Sequence, residues 1–210
     1  VRLLYSLLRI FFELLYTRFA WTYDAVAWAS SMGQWHTWQR AALEDLPAGR
    51  ILELGHGPGH ILVDLARSRA SAFGIDRSRQ MSRMAGRRLR RAGSPGRIAR
   101  ASAFRLPFAM QSFSAVVSTF PTEYILDPRT VHEVARILAP GGLMVVIPVA
   151  AITGPGIFDR SAGWLNRVTG QSDVAGERWI APWREGPFDV EVERVVLPRS
   201  RVWRIRAHRR

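Results

Sequence analysis

A carboxylate followed by three alternating glycines, Glu53-x-Gly55-x-Gly57-x-Gly59, carries the most chemistry of any pattern in this chain. Glycine lacks a Cβ, so such a backbone can turn sharply and come close to a ligand. The apolar run at 51–54 reads as a short buried strand, and a helix follows. This places the loop at the carboxyl end of a strand in an open α/β sheet, where ligands bind. Loops that cup a pyrophosphate read Gly-x-Gly-x-x-Gly. Here the third glycine comes one residue early and an acid stands two residues before the first. That acid suits a cationic ligand better than a pyrophosphate. Asp76 closes the next apolar run, 71–75, where a carboxylate can accept both hydroxyls of a ribose. His56 and His60 are four apart and could look like a metal pair. The chain has no cysteine and no acid adjoins them in sequence, so no metal is expected. After the apolar run 115–120, Glu123 and Tyr124 are the polar candidates for a proton acceptor or a substrate holder. Loop capping and packing is the alternative for both.

The elements that must position these residues follow from periodicity and punctuation. Strands are expected at 50–54, 71–75, 97–101, 115–120 and 143–149. Helices are expected at 34–46, 58–69, 78–91 with Ser78 as cap, and 127–138 opened by Asp127-Pro128. Pro140-Gly141-Gly142 reads as the stop before the fifth strand. The stretch 150–187 is rich in Gly, Trp and Pro, with a helix expected at 158–168. Two strands at 188–197 and 201–207, joined at Pro198-Arg199-Ser200, form a hairpin. Strands alternating with helices, then a hairpin, give a mostly parallel sheet with an antiparallel edge. Residues 1–20 are apolar except for a narrow helical stripe of Arg2, Ser6, Arg9, Glu13 and Thr17. Three charges up to Glu13 argue against a spanning helix. The segment reads either as a helix lying on a membrane or as one docked on protein. No cleavage site follows it, so a signal peptide is not expected.

A chain of 210 residues can bury a proper core as one domain. Without cysteine, disulfides, thiolate zinc sites and cysteine nucleophiles are excluded. All thirty basic residues are arginine, which excludes a P-loop lysine, a Tyr-x-x-x-Lys pair and Schiff-base chemistry. The net charge is +13, with ten arginines and no acid in 77–105 and seven arginines and no acid in 194–210. Such charge favours anionic partners, or is simply solvated. Aromatics are not interleaved with these arginines, so nucleic acid is not the expected partner.

At these residues the chain resembles the class I S-adenosylmethionine (SAM) methyltransferases, in particular the methyltransferase type 11 group. The group includes quinone-biosynthesis and lipid methyltransferases. The resemblance rests on the acidic glycine loop, on Gly74-Ile75-Asp76-x-Ser78 with Met81, on Leu106-Pro107-Phe108 before Ser112-Phe113, and on Arg136-Ile137-Leu138-Ala139-Pro140-Gly141-Gly142, in that order. It implies a Rossmann-like, seven-stranded, mostly parallel sheet with an antiparallel C-terminal hairpin, helices on both faces and an N-terminal helical extension. Residues 1–48 would be lid helices and 49–210 the SAM-binding domain, with a substrate-lid insert at about 150–187 carrying Trp164, Trp179 and Trp183.

It further implies SAM as cofactor. Gly55, Gly57 and Gly59 would approach its methionine part, Glu53 would hold the loop or the amino group, and His56 would touch cofactor or substrate. Asp76 would take the ribose diol, with Arg77 beside the adenine. Ser102 stands where the family has Asp, so adenine recognition would lean on Ala103 and Phe104. Phe113-Ser114 departs from the family's Phe-Asp in the same way. Tyr23 would close over SAM and Thr119 would enter the site. The implied activity is methyl transfer to a small lipophilic or membrane-associated acceptor, quinone- or phospholipid-like, with Glu123 and Tyr124 as catalytic candidates. A non-catalytic SAM-fold partner protein is the alternative, and an RNA methyltransferase the outside case. The chain is expected in the cytoplasm or on the inner face of the membrane, as monomer or homodimer. An anionic membrane surface would be met through residues 1–20 and the arginine-rich face.

Overall fold

Alternation along the strands builds a three-layer structure. The computed structural model describes residues 23–68, 70–94, 96–153 and 177–210. The expected helices at 1–20 and 158–168, and Trp164, lie outside the described residues. Seven strands form one sheet: β1 (Arg50–Leu54), β2 (Ser71–Asp76), β3 (Arg97–Arg100), β4 (Phe113–Thr119), β5 (Leu138–Ile152), β6 (Phe188–Leu197) and β7 (Ser200–Arg209), in the order β3-β2-β1-β4-β5-β7-β6. The first five pair in parallel, while β7 runs antiparallel to both β5 and β6. The expected fold is thus the observed one. The outward progression of the chain from the sheet's centre reverses between β1 and β4, and the crevice beyond their carboxyl ends is the place for a ligand.

Side chains of β1 and β4 point alternately to two cores. Leu52, Leu54 and Val116 join one cluster, with Val131, Val134 and Trp183. Ile51, Ala115 and Val117 join the other, with Trp38, Ile61 and Leu62. Burial on both faces explains why these strands read as unbroken apolar runs. Each wholly buried aliphatic side chain contributes roughly 1.5–3 kcal/mol relative to exposure.

The helices follow the same logic. Helix α1 spans Tyr23–Ser31 and α2 spans Trp35–Arg40, continued by a 3-10 turn at Ala41–Leu43. The expected single helix to residue 46 therefore tightens and stops early. Arg204 of β7 holds that end: its Nη1 donates to Ala41 O and Glu44 Oε2, both at 2.9 Å. Its Nη2 meets Glu193 Oε2 at 2.7 Å. Trp38 Nε1 donates to Ser200 Oγ at 2.8 Å, fixing α2 to the same strand. Helix α3 (His60–Arg67) buries Ile61, Leu62, Val63 and Leu65. Helix α4 (Arg79–Arg91) buries only Met81, Ala85 and Leu89, at four-residue spacing. Ser78 caps α4 by accepting from Met81 N, and Asp127 caps α5 (Pro128–Ile137) by accepting from Arg129 N.

Two further differences from expectation concern β5 and the segment before β6. Strand β5 begins at Leu138, so Pro140-Gly141-Gly142 is an irregularity within it, where the register to β4 shifts between Phe113 and Ala115. Gly141 takes φ +72° there, which a residue without a Cβ accepts. The second difference is helix α6, Glu177–Glu185, which the sequence hid behind Pro182. Its Trp183 is buried and packs edge-on to Phe188 at 5.3 Å. Trp179 packs on the same core.

Candidate active site

At the carboxyl ends of β1, β2 and β4 lies a cavity of about 500 Å³, within the ~300–1,000 Å³ usual for small-molecule sites. The structure brings Gly55, His56, Gly57, Asp76, Arg77, Ser102, Ala103, Phe104, Thr119 and Tyr124 together around it. Gly55 and Gly57 both take left-handed φ, +70° and +51°. A Cβ on Gly57 would meet nothing within 4 Å, so this backbone stands open to an approaching ligand. Asp76 ends β2 and ties the loop down: its Oδ2 accepts from Gly57 N at 3.0 Å and its Oδ1 from Ser78 N at 2.7 Å. Each oxygen keeps a second lone pair for a ligand hydroxyl.

Three residues that the sequence pattern singles out, Gly59, Glu53 and Glu123, sit elsewhere. Gly59 faces away from the cavity, where an added Cβ would come within 2.8 Å of Ala85 Cβ on α4. It permits helix-to-helix packing. Glu53 lies under the loop, 1% exposed, with Oε2 unpartnered among the described residues. Burial pushes its carboxyl well above the ordinary range, and the charges of Asp76 and Asp64 push the same way. Glu123 is outside the cavity lining, an exposed carboxylate paired with Arg178 Nη2 at 2.8 Å. Tyr23 opens α1, and its side chain lies outside what is described. Trp179 and Trp183 of the expected substrate cover belong to the core and do not line the cavity.

Tyr124 lines the cavity as a clamp. Its Oη donates to Leu54 O at 3.1 Å and lies 3.0 Å from Ser118 Oγ, which also donates to Leu54 O at 2.9 Å. Two hydroxyls thus hold the carbonyl just ahead of Gly55. His56 donates from Nδ1 to Gly57 O at 2.8 Å, and that acceptor assigns the proton to Nδ1. Burial lowers its pKa below 6.5, against Asp76 and the Gly57 carbonyl, which pull it back. The imidazole is therefore neutral near pH 7, with a buried Nε2 that makes no hydrogen bond among the described residues. Ser102 Oγ accepts from Phe104 N at 3.3 Å, which shapes the turn after β3, and the Arg129 guanidinium covers the Phe104 ring at 4.2 Å.

The sequence pattern did not mark Gln39. Gln39 leaves α2 for the cavity, 8% exposed, with Nε2 donating to Thr119 Oγ1 at 3.1 Å and Oε1 buried without a partner among the described residues. A polar residue four positions after Trp35, on the helix's buried face, was the available signal. Phe120 follows Thr119 into the site. It lines the cavity, stacks on Trp35 at 4.3 Å and takes φ +48°, a left-handed conformation rare for a bulky residue. Such strain clusters at functional sites.

One edge of the site is tied by charge. Asp24 of α1 meets His60 Nε2 at 2.9 Å and Arg88 Nη2 at 2.7 Å, while Arg88 Nη1 also donates to Pro58 O. The acid that sequence did not place beside His60 thus comes from another helix. Among the described residues no three potential metal ligands cluster. The hydrogen bond from His60, and behind it Arg88, holds the Asp24 pKa at about 2, below its ordinary 3.8. Its contribution to stability is complete above 3.8 and is lost as pH falls toward 2. Asp24 is 43% exposed, so the effect is small. The denaturant midpoints of the parent and of Asp24→Asn should differ at neutral pH and converge across that acid window.

Comparison with known proteins agrees with this geometry. A family described as "Methyltransferase domain" matches residues 51–142. The ubiquinone/menaquinone biosynthesis C-methyltransferase UbiE of Syntrophotalea carbinolica is 31% identical over 147 residues, covering 67% of this chain and 62% of that protein. A demethylmenaquinone methyltransferase of Symbiobacterium thermophilum is 31% identical over 144 residues, covering 63% and 57%. The chain therefore spans less than two thirds of these curated relatives' length. Among solved structures, a possible histamine N-methyltransferase of Thermotoga maritima superposes with a TM-score of 0.64 at 20% identity, covering 94% of this chain and 99% of that one. A geranyl diphosphate C-methyltransferase of Streptomyces coelicolor A3(2) gives 0.61 at 14%, covering 82% and 78%. These two likenesses concern the fold. Residues 51–142 thus match a methyltransferase domain, and the chain is related to the ubiquinone/menaquinone group of the class I SAM-dependent methyltransferases.

Proposed function

We propose that this chain binds SAM in the cavity and transfers its methyl group to a small lipophilic acceptor. The observation that carries the reading is one juxtaposition: the open Gly55–Gly57 backbone, the Asp76 carboxylate and the Ser102–Phe104 turn face one cavity at the sheet's switch point. The donor set suits that cofactor. Asp76 offers free lone pairs to a diol, and Phe104 offers a ring edge and backbone to a base. Gln39 Oε1 and His56 Nε2 are buried acceptors for an ammonium or a hydroxyl.

When bound, SAM supplies a methyl group activated on a sulfonium. The protein's tasks are then alignment and exclusion of water. Gln39 and Thr119 position one end of the ligand, and Asp76 the other. Tyr124, bonded to Leu54 O, fixes the loop. Where the acceptor must lose a proton, the lone pairs in the cavity are those of the Asp76 carboxylate and of neutral His56. The exposed, ion-paired Glu123 is given no catalytic role. Phe104 and Phe120 on the cavity wall favour a flat or lipophilic acceptor, in keeping with relatives named for quinone methylation.

Calorimetry with S-adenosylhomocysteine, followed by mass analysis of a quinone and isoprenoid extract incubated with SAM, tests this. Micromolar binding and a gain of one methyl in a lipophilic product are expected. Failure to bind the cofactor product overturns the cofactor assignment. Binding without transfer to any acceptor favours the non-catalytic alternative. Methylation of RNA in place of the extract overturns the acceptor class.

A further inference from the structure

The chain's excess charge is gathered on one side of the fold. The stretch 77–105 holds ten of the thirty arginines and no acid, whereas the rest of the chain sets twenty arginines against seventeen acids. The fold turns that stretch into a surface. Met81, Ala85 and Leu89 face the core, so Arg79, Arg83, Arg87 and Arg90 run down an exposed flank of α4. Arg100 continues it on β3, the edge strand of the sheet. Among the described residues no carboxylate forms an ion pair with any of these five. Arginines elsewhere do find acids: Arg129, Arg136, Arg178 and Arg204 all have partners within 3.0 Å.

We infer that the α4–β3 face docks on an anionic lipid bilayer. Single-stranded nucleic acid would need aromatic platforms among the arginines. The stretch offers only Phe104, whose ring is covered by Arg129. A row of exposed guanidinium groups without carboxylate partners is the chemistry that meets anionic headgroups, each arginine adding to the attraction. Arg77, at the cavity mouth just before α4, puts the site's opening next to this face. Charge and exposure alone drive this attachment, whether or not the acceptor is lipophilic.

The test is co-flotation of the full chain with phosphatidylcholine vesicles, with and without phosphatidylglycerol. The triple substitution Arg83→Gln/Arg87→Gln/Arg90→Gln is run in parallel. All three positions are exposed and outside the cavity, so S-adenosylhomocysteine affinity and melting temperature should match the parent and report an intact fold. At low salt the parent should float with the anionic vesicles and be released by added salt. At about fivefold per arginine, the triple variant should bind on the order of 100-fold more weakly. Equal flotation of variant and parent, or equal binding to neutral and anionic vesicles, overturns the inference. So does tighter binding to polyuridylate than to vesicles at equal phosphate.

Discussion

Asp76→Ala is expected to weaken S-adenosylhomocysteine binding by roughly 100-fold while leaving the chain folded. Two effects combine. The carboxylate is the acceptor that the ribose hydroxyls would meet, and hydrogen bonds to a charged group contribute about 1.5–3 kcal/mol each. It also orders the site, since Gly57 N and Ser78 N both donate to it. Those two amides sit at a half-buried position where water can replace the acceptor, so the cost to stability should be only about 1 kcal/mol. Asp76→Asn separates the two effects. Its amide keeps one acceptor oxygen but turns a donor toward one of the N–H groups, and an intermediate loss of about tenfold is expected. Calorimetry reads the affinity and a melting curve reads the fold. An affinity within threefold of the parent for both variants would remove Asp76 from the cofactor site, and with it the central support for SAM.

What could be read from the sequence follows from how local each cause is. The glycine loop, the cap at Ser78 and the cap at Asp127 are decided by a few adjacent residues, and all three are where the sequence put them. Apolar runs likewise located the strands, because each one's burial is written in its own side chains. The misses depend on contacts far apart in the chain. Strand β5 runs on through Pro140-Gly141-Gly142 because β4 and β7 supply pairing on both sides, while the dipeptides alone read as a stop. Trp183 looked like part of an aromatic cover because nothing nearby shows that Phe188 and α5 bury it. Glu123 and Tyr124 are neighbours in sequence with opposite fates, since a one-residue step on a 3-10 turn sends one carboxylate to solvent and one phenol to Leu54. Gln39 needed Thr119, eighty positions away, to reveal its direction.

Gly55→Ala is expected to be the most damaging single change in the loop, and Tyr124→Phe is expected to rescue part of it. The φ of +70° costs an L-residue about 1–2 kcal/mol. The new methyl would also stand 2.6 Å from Tyr124 Oη, too close for any contact, while the next atom of that ring is 3.5 Å away. The phenol must swing off Leu54 O and away from Ser118 Oγ, losing its hydrogen bond to the carbonyl, roughly 0.5–1.5 kcal/mol. The single variant should therefore lose about 2–4 kcal/mol in denaturant unfolding. Tyr124→Phe alone gives up the same hydrogen bond but leaves Leu54 O held by Ser118, so about 1 kcal/mol is expected. In the double variant the clash is gone and that bond is not lost twice. The two effects should fall short of additivity by about 1 kcal/mol, as contacting residues do. Additivity within about 0.3 kcal/mol would mean that Tyr124 does not press on the loop. The same pair decides the role of the phenol. A loop clamp changes cofactor affinity when cut to Phe and leaves the pH profile of methyl transfer in place, whereas a proton acceptor would take one limb of that profile with it.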